Sequence, residues 1–143
     1  MTNDEIRAFL DRFVLLWSRS DVIGLGACYA EECTVISPIF STITGREQVE
    51  RSYRKLFDAL AKPVIRVDDI VIGQEGAARA AMICTVESTH VGEMFGTPAT
   101  GKQIERTIAY ILTLQDGLIV KEVRIYDFTS MLIKLGVLRA KPA

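Results

Sequence analysis

The sequence predicts an α+β fold: a strongly curved, mixed and mostly antiparallel β-sheet packed against three N-terminal helices, with a short helix at the C-terminus. Two observations carry this expectation. Apolar residues recur at helical spacing as far as Pro63 and alternate from there on. Within the alternating half, Gln74-Glu75-Gly76 and Gln115-Asp116-Gly117 read as tight hairpin connections. At 143 residues the chain is long enough for one self-sufficient core, so residues 1–143 are expected to form a single domain.

Taken in order, Thr2 and Glu5 have capping-box spacing, and Ile6, Phe9, Leu10, Phe13, Val14 and Trp17 mark one face of a helix over 2–18. A Ser20-Asp21 start introduces a shorter helix through about Ala30, weakened by Gly24 and Gly26. Cys33–Ser37 is a short strand that Pro38 ends. Thr44 and Glu47 repeat the capping-box spacing, and Val49, Tyr53, Leu56 and Leu60 line the core face of a third helix that Pro63 terminates. Strands are expected over about 64–73, 77–90, 102–115 and 117–127. The segment between the second and third of these is glycine-rich and too long for a hairpin. A last amphipathic helix over 127–135 stops at Gly136. A curved sheet closed over by amphipathic helices makes a cone whose interior is either a filled core or a pocket.

Composition excludes several classes. Apolar residues make up 49% and charged ones 24%, and 17 basic against 18 acidic side chains leave a net charge of −1, which argues against disorder and against a nucleic-acid partner. Cys28, Cys33 and Cys84 are odd in number and sit in apolar stretches, so they read as buried hydrophobes in a reducing compartment. The N-terminus has no secretory pattern and no stretch approaches the ~20 apolar residues of a membrane span, so a cytoplasmic protein without a membrane partner is expected. A single histidine, His90, argues against a His-rich metal centre, and no metal site or cofactor is expected.

Alternation also identifies polar groups that share a face with the core. His90 is in phase with Met82, Cys84, Val86 and Ser88; Arg106 and Tyr110 are in phase with Ile104, Ile108 and Leu112. On the last strand, Ile119, Val123 and Ile125 alternate with Glu122, Arg124 and Tyr126, which puts Asp127 on the apolar side. A buried charge costs several kcal/mol unless paired, so these groups are expected to meet or to line a wet cavity. A carboxylate, an imidazole and a guanidinium around an apolar pocket could move a proton on a carbon beside a carbonyl, with Asp127 or His90 as base and Arg106 with Tyr110 holding the oxyanion. Plainer roles stand beside these. Asp127 can be the N-cap of the last helix, His90 a solvated loop residue, Arg106 an ion-pair partner of Asp127, and Tyr110 a core aromatic; Glu93 and Arg124 read as surface or rim groups.

The strings YAEECTVISPIF, TGREQVERSYRKLF, THVGEMFGTPATGKQI and LQDGLIVKEVRIYDFTSMLIKLGVL resemble the SnoaL-like polyketide cyclase and ester cyclase branch of the nuclear transport factor 2-like (NTF2-like) superfamily over nearly the whole chain. The resemblance implies a cystatin-like cone with a hydrophobic pocket, a homodimer through the outer sheet face, and cofactor-free acid/base chemistry of cyclase or isomerase type on a small apolar carbonyl compound. His90 matches the family histidine and Asp127 the aspartate that ends the last strand. Phe13, Trp17, Tyr53 and Phe57 from the helices, with Met82, Ile108 and Ile125 from the strands, would line the pocket. In the final strand, where such cyclases commonly show Trp-Asp, this chain has Val123-Arg124. The base and oxyanion tyrosine of a ketosteroid isomerase would fall on Ser37 and Phe13, and the Arg-x-Asp of limonene-type epoxide hydrolases on Thr85-Val86-Glu87, which argues against both activities. The rival class is a non-catalytic ligand-binding or dimerisation module of the same fold.

Overall fold

The structure is a computed structural model that describes residues 1–141. Its first helix, α1 (Asn3–Ser18), starts on the expected capping box: the Thr2 hydroxyl accepts from Glu5 N–H at 3.1 Å, and the Glu5 carboxylate accepts from Thr2 N–H at 3.1 Å. Ile6, Phe9, Leu10, Phe13 and Trp17 are buried along one face. Helix α2 (Val22–Gly26) is capped by Asp21 and ends at its second glycine, earlier than Ala30. The strand β1 therefore begins at Tyr29 rather than Cys33, and runs to Ser37. A short strand not expected from the sequence, β2 (Ser41–Thr44), folds back on it. Thr44 is thus the last strand residue and not a helix cap. Gly45 opens α3 (Arg46–Ala59), and the Gln48 side chain accepts from Thr44 N–H instead.

The chain leaves α3 at Ala59, before Pro63, and passes directly into the long strand β3 (Leu60–Gly73). Strands β4 (Ala78–His90), β5 (Gln103–Gln115) and β6 (Leu118–Ile125) follow. At the β5–β6 turn Asp116 and Gly117 both have positive φ (52° and 74°), the twist that suits a two-residue hairpin. The six strands lie in the order β2-β1-β6-β5-β4-β3, antiparallel except for β1 beside β6. Helix α4 (Phe128–Leu135) closes the chain and stops at the left-handed Gly136.

One irregularity decides which side chains face the helices. Thr113 pairs with Lys121 but Leu114 with Ile119, so Val120 is an extra residue in β6. A one-residue insertion shifts the alternation, and beyond it Glu122 and Arg124 are buried while Ile125 is 53% exposed. The expected phase of the last strand is therefore reversed. Ile125 and Asp127 lie on the outside, and Arg124 is not a rim group. Asp127 instead caps α4, its Oδ1 accepting from Ser130 N–H at 2.8 Å.

Two stability predictions follow from local geometry. Asp127→Ala should cost ~1 kcal/mol in urea unfolding, the usual worth of a side-chain N-cap. A Cβ on Gly92 would sit 2.5 Å from the Asp58 carbonyl oxygen, whereas one on Gly73 would meet nothing within 4 Å. Gly92→Ala should destabilise by ~2 kcal/mol and Gly73→Ala by less than ~0.5 kcal/mol; equal effects would contradict the packing of β4's end against α3.

Candidate functional site: a donor-lined slit under the helices

Cross-strand pairing assembles the inward row. Tyr110 on β5 pairs with Met82 on β4 and with Arg124 on β6, while Arg106 pairs with Val86. Residues directly opposite in a sheet share a face, so Arg106, Tyr110 and Arg124 all point at the helices. Trp17 from α1 and Ser37 from the end of β1 meet them, and the Ile39-Phe40 turn and Tyr126 cover the opening. Between them lies a narrow slit with about 20 Å³ of room for the centre of a water molecule, space for one ordered water. A neighbouring cavity of about 260 Å³ shares Ile39 and Phe40 and adds Lys55, Glu93, Met94 and Phe95. A larger groove of about 490 Å³ runs along the outside of α3 past Arg51, Arg54 and Lys55, but its charged groups are exposed, and its one buried polar side chain, Ser52, already donates to the Val49 carbonyl.

The two arginines differ in what they meet. Arg124 Nε donates to Glu122 Oε2 at 2.6 Å, and its guanidinium carbon lies 5.0 Å from the centre of the Tyr53 ring. The other Glu122 oxygen accepts from Tyr29 OH at 2.8 Å, and Tyr29 and Tyr53 share a 2.7 Å hydroxyl hydrogen bond. Burial pushes the Arg124 guanidinium down and the Glu122 carboxylate beside it pushes it up, and the pKa stands well above the ordinary value. Burial followed by the Glu122 charge raises Tyr29 well above the ordinary phenol, and burial raises Tyr53 and Tyr110 too, so all three stay protonated hydrogen-bond donors.

Arg106 has no carboxylate among the described residues. It is 8% exposed, its one hydrogen bond is a long 3.4 Å contact from Nη1 to Ser88 Oγ, and burial pushes its pKa below the ordinary guanidinium value. Four residues that line this slit each carry a buried polar atom with no hydrogen-bond partner: Trp17 Nε1, Arg106 Nη2, Tyr110 OH and Arg124 Nη2. Three can only donate and the fourth donates as readily as it accepts. Unpartnered buried donors cost ~1–3 kcal/mol each, more when charged, so their collection in one place is informative.

The other expected site residues separate into three groups. His90 is fully buried on the inward face, but its ring is tied to the loop that follows: Nδ1 lies 2.9 Å from Thr100 Oγ1 and accepts from Thr100 N–H at 3.3 Å, leaving Nε2 unpartnered. The structure does not place it on the slit lining, although Ser88, two residues back on the same face, holds Arg106. Phe13, Tyr53, Met82 and Ile108 are buried and Phe57 half-buried; of these only Ile108 lines the slit, together with Trp17. Asp127 and Ile125 are outside it, and no ion pair joins Asp127 to Arg106. Arg124, Glu122 and Tyr126 were assigned to the opposite face because Leu118-Ile119-Val120 is a continuous apolar run and gives no phase across the bulge. Among the described residues no group of three His, Cys, Asp or Glu is placed to hold a metal ion, and no helix is long and apolar enough to cross a membrane. The cysteines are free and buried, and burial pushes the Cys84 thiol up to about 12, so none is an activated nucleophile.

Comparison with solved structures returns the same fold. The chain superimposes on AclR, a proposed hydroxylase from Streptomyces galilaeus, with a TM-score of 0.85 at 23% identity, covering 99% of this chain and 87% of that one. It superimposes on TsrD from Streptomyces laurentii with a TM-score of 0.82 at 20% identity, covering 96% and 99%. A proposed polyketide cyclase from Xanthomonas campestris pv. campestris gives 0.78 at 16% identity, covering 92% and 97%. At these identities the likeness is one of fold. No curated protein matches the sequence. A family model described as the SnoaL-like domain matches residues 6–122, and the chain belongs to the SnoaL-like family.

Proposed function

We propose that the slit is the active site of a cofactor-free acid/base enzyme of cyclase or isomerase type that acts on a small, largely apolar carbonyl compound. The observation that carries this reading is the set of four unpartnered donors on one buried lining. Donors held in a dry, preorganised site favour a developing oxyanion over a neutral carbonyl, because no solvent has to reorient as charge appears. Arg106, Tyr110 and Arg124 polarise the substrate carbonyl, and loss of a proton from the adjacent carbon places an enolate oxygen on the same groups. The proton acceptor in this reading is His90, two residues beyond Ser88 on the inward face of β4 and off the slit lining itself, so the acidic carbon has to extend past Ser88 to meet it. Its Nε2 is an open lone pair only in the tautomer in which Nδ1–H donates to Thr100 Oγ1, and adopting that tautomer gives up the Thr100 N–H bond that Nδ1 accepts in the structure. Tyr110, kept protonated by burial, holds the enolate oxygen by its hydrogen bond, and the proton taken up by His90 returns to carbon from the same imidazolium. Asp127, as the cap of an exposed helix end, has no part in it.

A second reading, a binding module without turnover, is favoured by one feature: no Asp or Glu is found among the described residues that line the slit. Pairing of two copies through the outer sheet face, where Val71 and Ile125 are more than half exposed, is compatible with either reading.

Exchange of carbon-bound hydrogen separates them. Incubating the protein in heavy water with a panel of 1,3-diketones and aryl ketones, and following the α-proton signals by NMR, should show at least one compound exchanging ~10²-fold faster than in buffer. His90→Gln should remove ~10²-fold and Arg106→Met ~10²–10³-fold of that rate, with Asp127→Ala unchanged within about two-fold. Binding of panel compounds with no acceleration of exchange would establish the binding module.

A further inference from the structure

Resting on the assignment of the slit as the ligand site, we infer that its ligand carries a permanent carboxylate, held by Arg106, in addition to any carbonyl that reacts. Charge supports this first. Two guanidinium groups, Arg106 and Arg124, come from residues that line the slit, and a single carboxylate, Glu122, is buried against Arg124 with both oxygens already engaged by Tyr29 and Arg124. These side chains together are therefore one negative charge short. A transient enolate would satisfy Arg106 only during turnover, whereas a carboxylate satisfies it in every bound state.

Counting acceptors gives the same answer. An ionised carboxylate offers two oxygens with about four lone-pair directions. Four of the residues lining the slit carry unpartnered donors, Trp17 Nε1, Arg106 Nη2, Tyr110 OH and Arg124 Nη2. An enolate or ketone oxygen alone would leave some of them unmet. Arg106 is 8% exposed and fixed at one corner by Ser88, so it is a preorganised anion receptor rather than a solvated side chain that visits the pocket.

The rest of the ligand is apolar. With room for one water, the slit takes only a headgroup, and Phe40 and Ile39 stand between it and the 260 Å³ cavity bounded by Met94 and Phe95. A carboxylate on a compact ring or short chain would seat its charge on Arg106 and its tail under the Ile39-Phe40 turn.

Trp17 is the single tryptophan of the chain and lines the slit, so its emission reports occupancy directly. Titrating the full chain with benzoate, its neutral isostere benzamide, and acetylacetone as a source of enolate should give benzoate an affinity at least about ten-fold above benzamide. Arg106→Met should lose at least about ten-fold in benzoate affinity while its own melting temperature is unchanged or higher, because an unpaired buried charge has been removed. Tyr110→Phe, which keeps the core filled, should lose a smaller factor of about three to ten. Equal binding of benzoate and benzamide, or undiminished benzoate binding by Arg106→Met, overturns the inference. Tighter Arg106-dependent binding of acetylacetone than of benzoate assigns the donors to an enolate and overturns it too, leaving the proposed proton-transfer chemistry intact. Failure of the exchange experiment with Arg106-dependent benzoate binding has the opposite meaning: the carboxylate site stands and turnover falls.

Discussion

A guanidinium sealed between a β-sheet and packed helices costs several kcal/mol unless a negative charge or a full set of acceptors meets it. Arg106 is in that position, with one long hydrogen bond to Ser88 and no carboxylate partner. The cost has to be borne by the surrounding core, and the core is built for it: Phe13, Trp17, Tyr53, Tyr110 and Met82 are all essentially inaccessible. Aromatic rings pack edge to face around the site, with Phe13 against Tyr110 at 5.8 Å and Trp17 against Tyr53 at 6.0 Å. Stability stored in that packing allows an unsatisfied polar centre to persist at the place where chemistry is proposed.

Arg124 shows what a satisfied version looks like. Its pairing with Glu122, and through Glu122 with Tyr29 and Tyr53, makes a closed network from β1, α3 and β6 that fixes every member in place. This network holds one wall of the slit rigid while leaving Nη2 of Arg124 free to face it. The contrast between a neutralised arginine and an unneutralised one, side by side, gives the site its excess positive character. It also explains why the slit, although small, is a better candidate than the wider groove along α3, where charges are already hydrated.

Much of this was legible in the sequence and some was not, for identifiable reasons. The inward positions of His90, Arg106 and Tyr110 follow from strict alternation along β4 and β5, two long strands without a bulge between them. The last strand defeated the same rule because Val120 is an extra residue that no side-chain pattern marks. That single insertion brought Glu122 and Arg124 in and put Ile125 and Asp127 out, and the N-cap role weighed for Asp127 is the one its geometry has. Thr44 and Glu47 have the spacing of a capping box, yet Thr44 is drawn into β2 by pairing with Thr34, and tertiary pairing overrides the local signal. The ends of α2 and α3 were misplaced for a similar reason: β1 and β3 take residues at Tyr29 and Leu60 that helical spacing alone would claim.

The central claim is that the unpartnered donors around Arg106 are complementary to a ligand oxygen. The measurement that reads this most directly is a high-resolution crystal structure of the protein as purified, without added small acids. The account predicts an anion or acid-bearing metabolite in the slit, within hydrogen-bond distance of Arg106 and Tyr110. A slit holding only water, with Arg106 swung out to solvent or doubled onto Glu122, would contradict it.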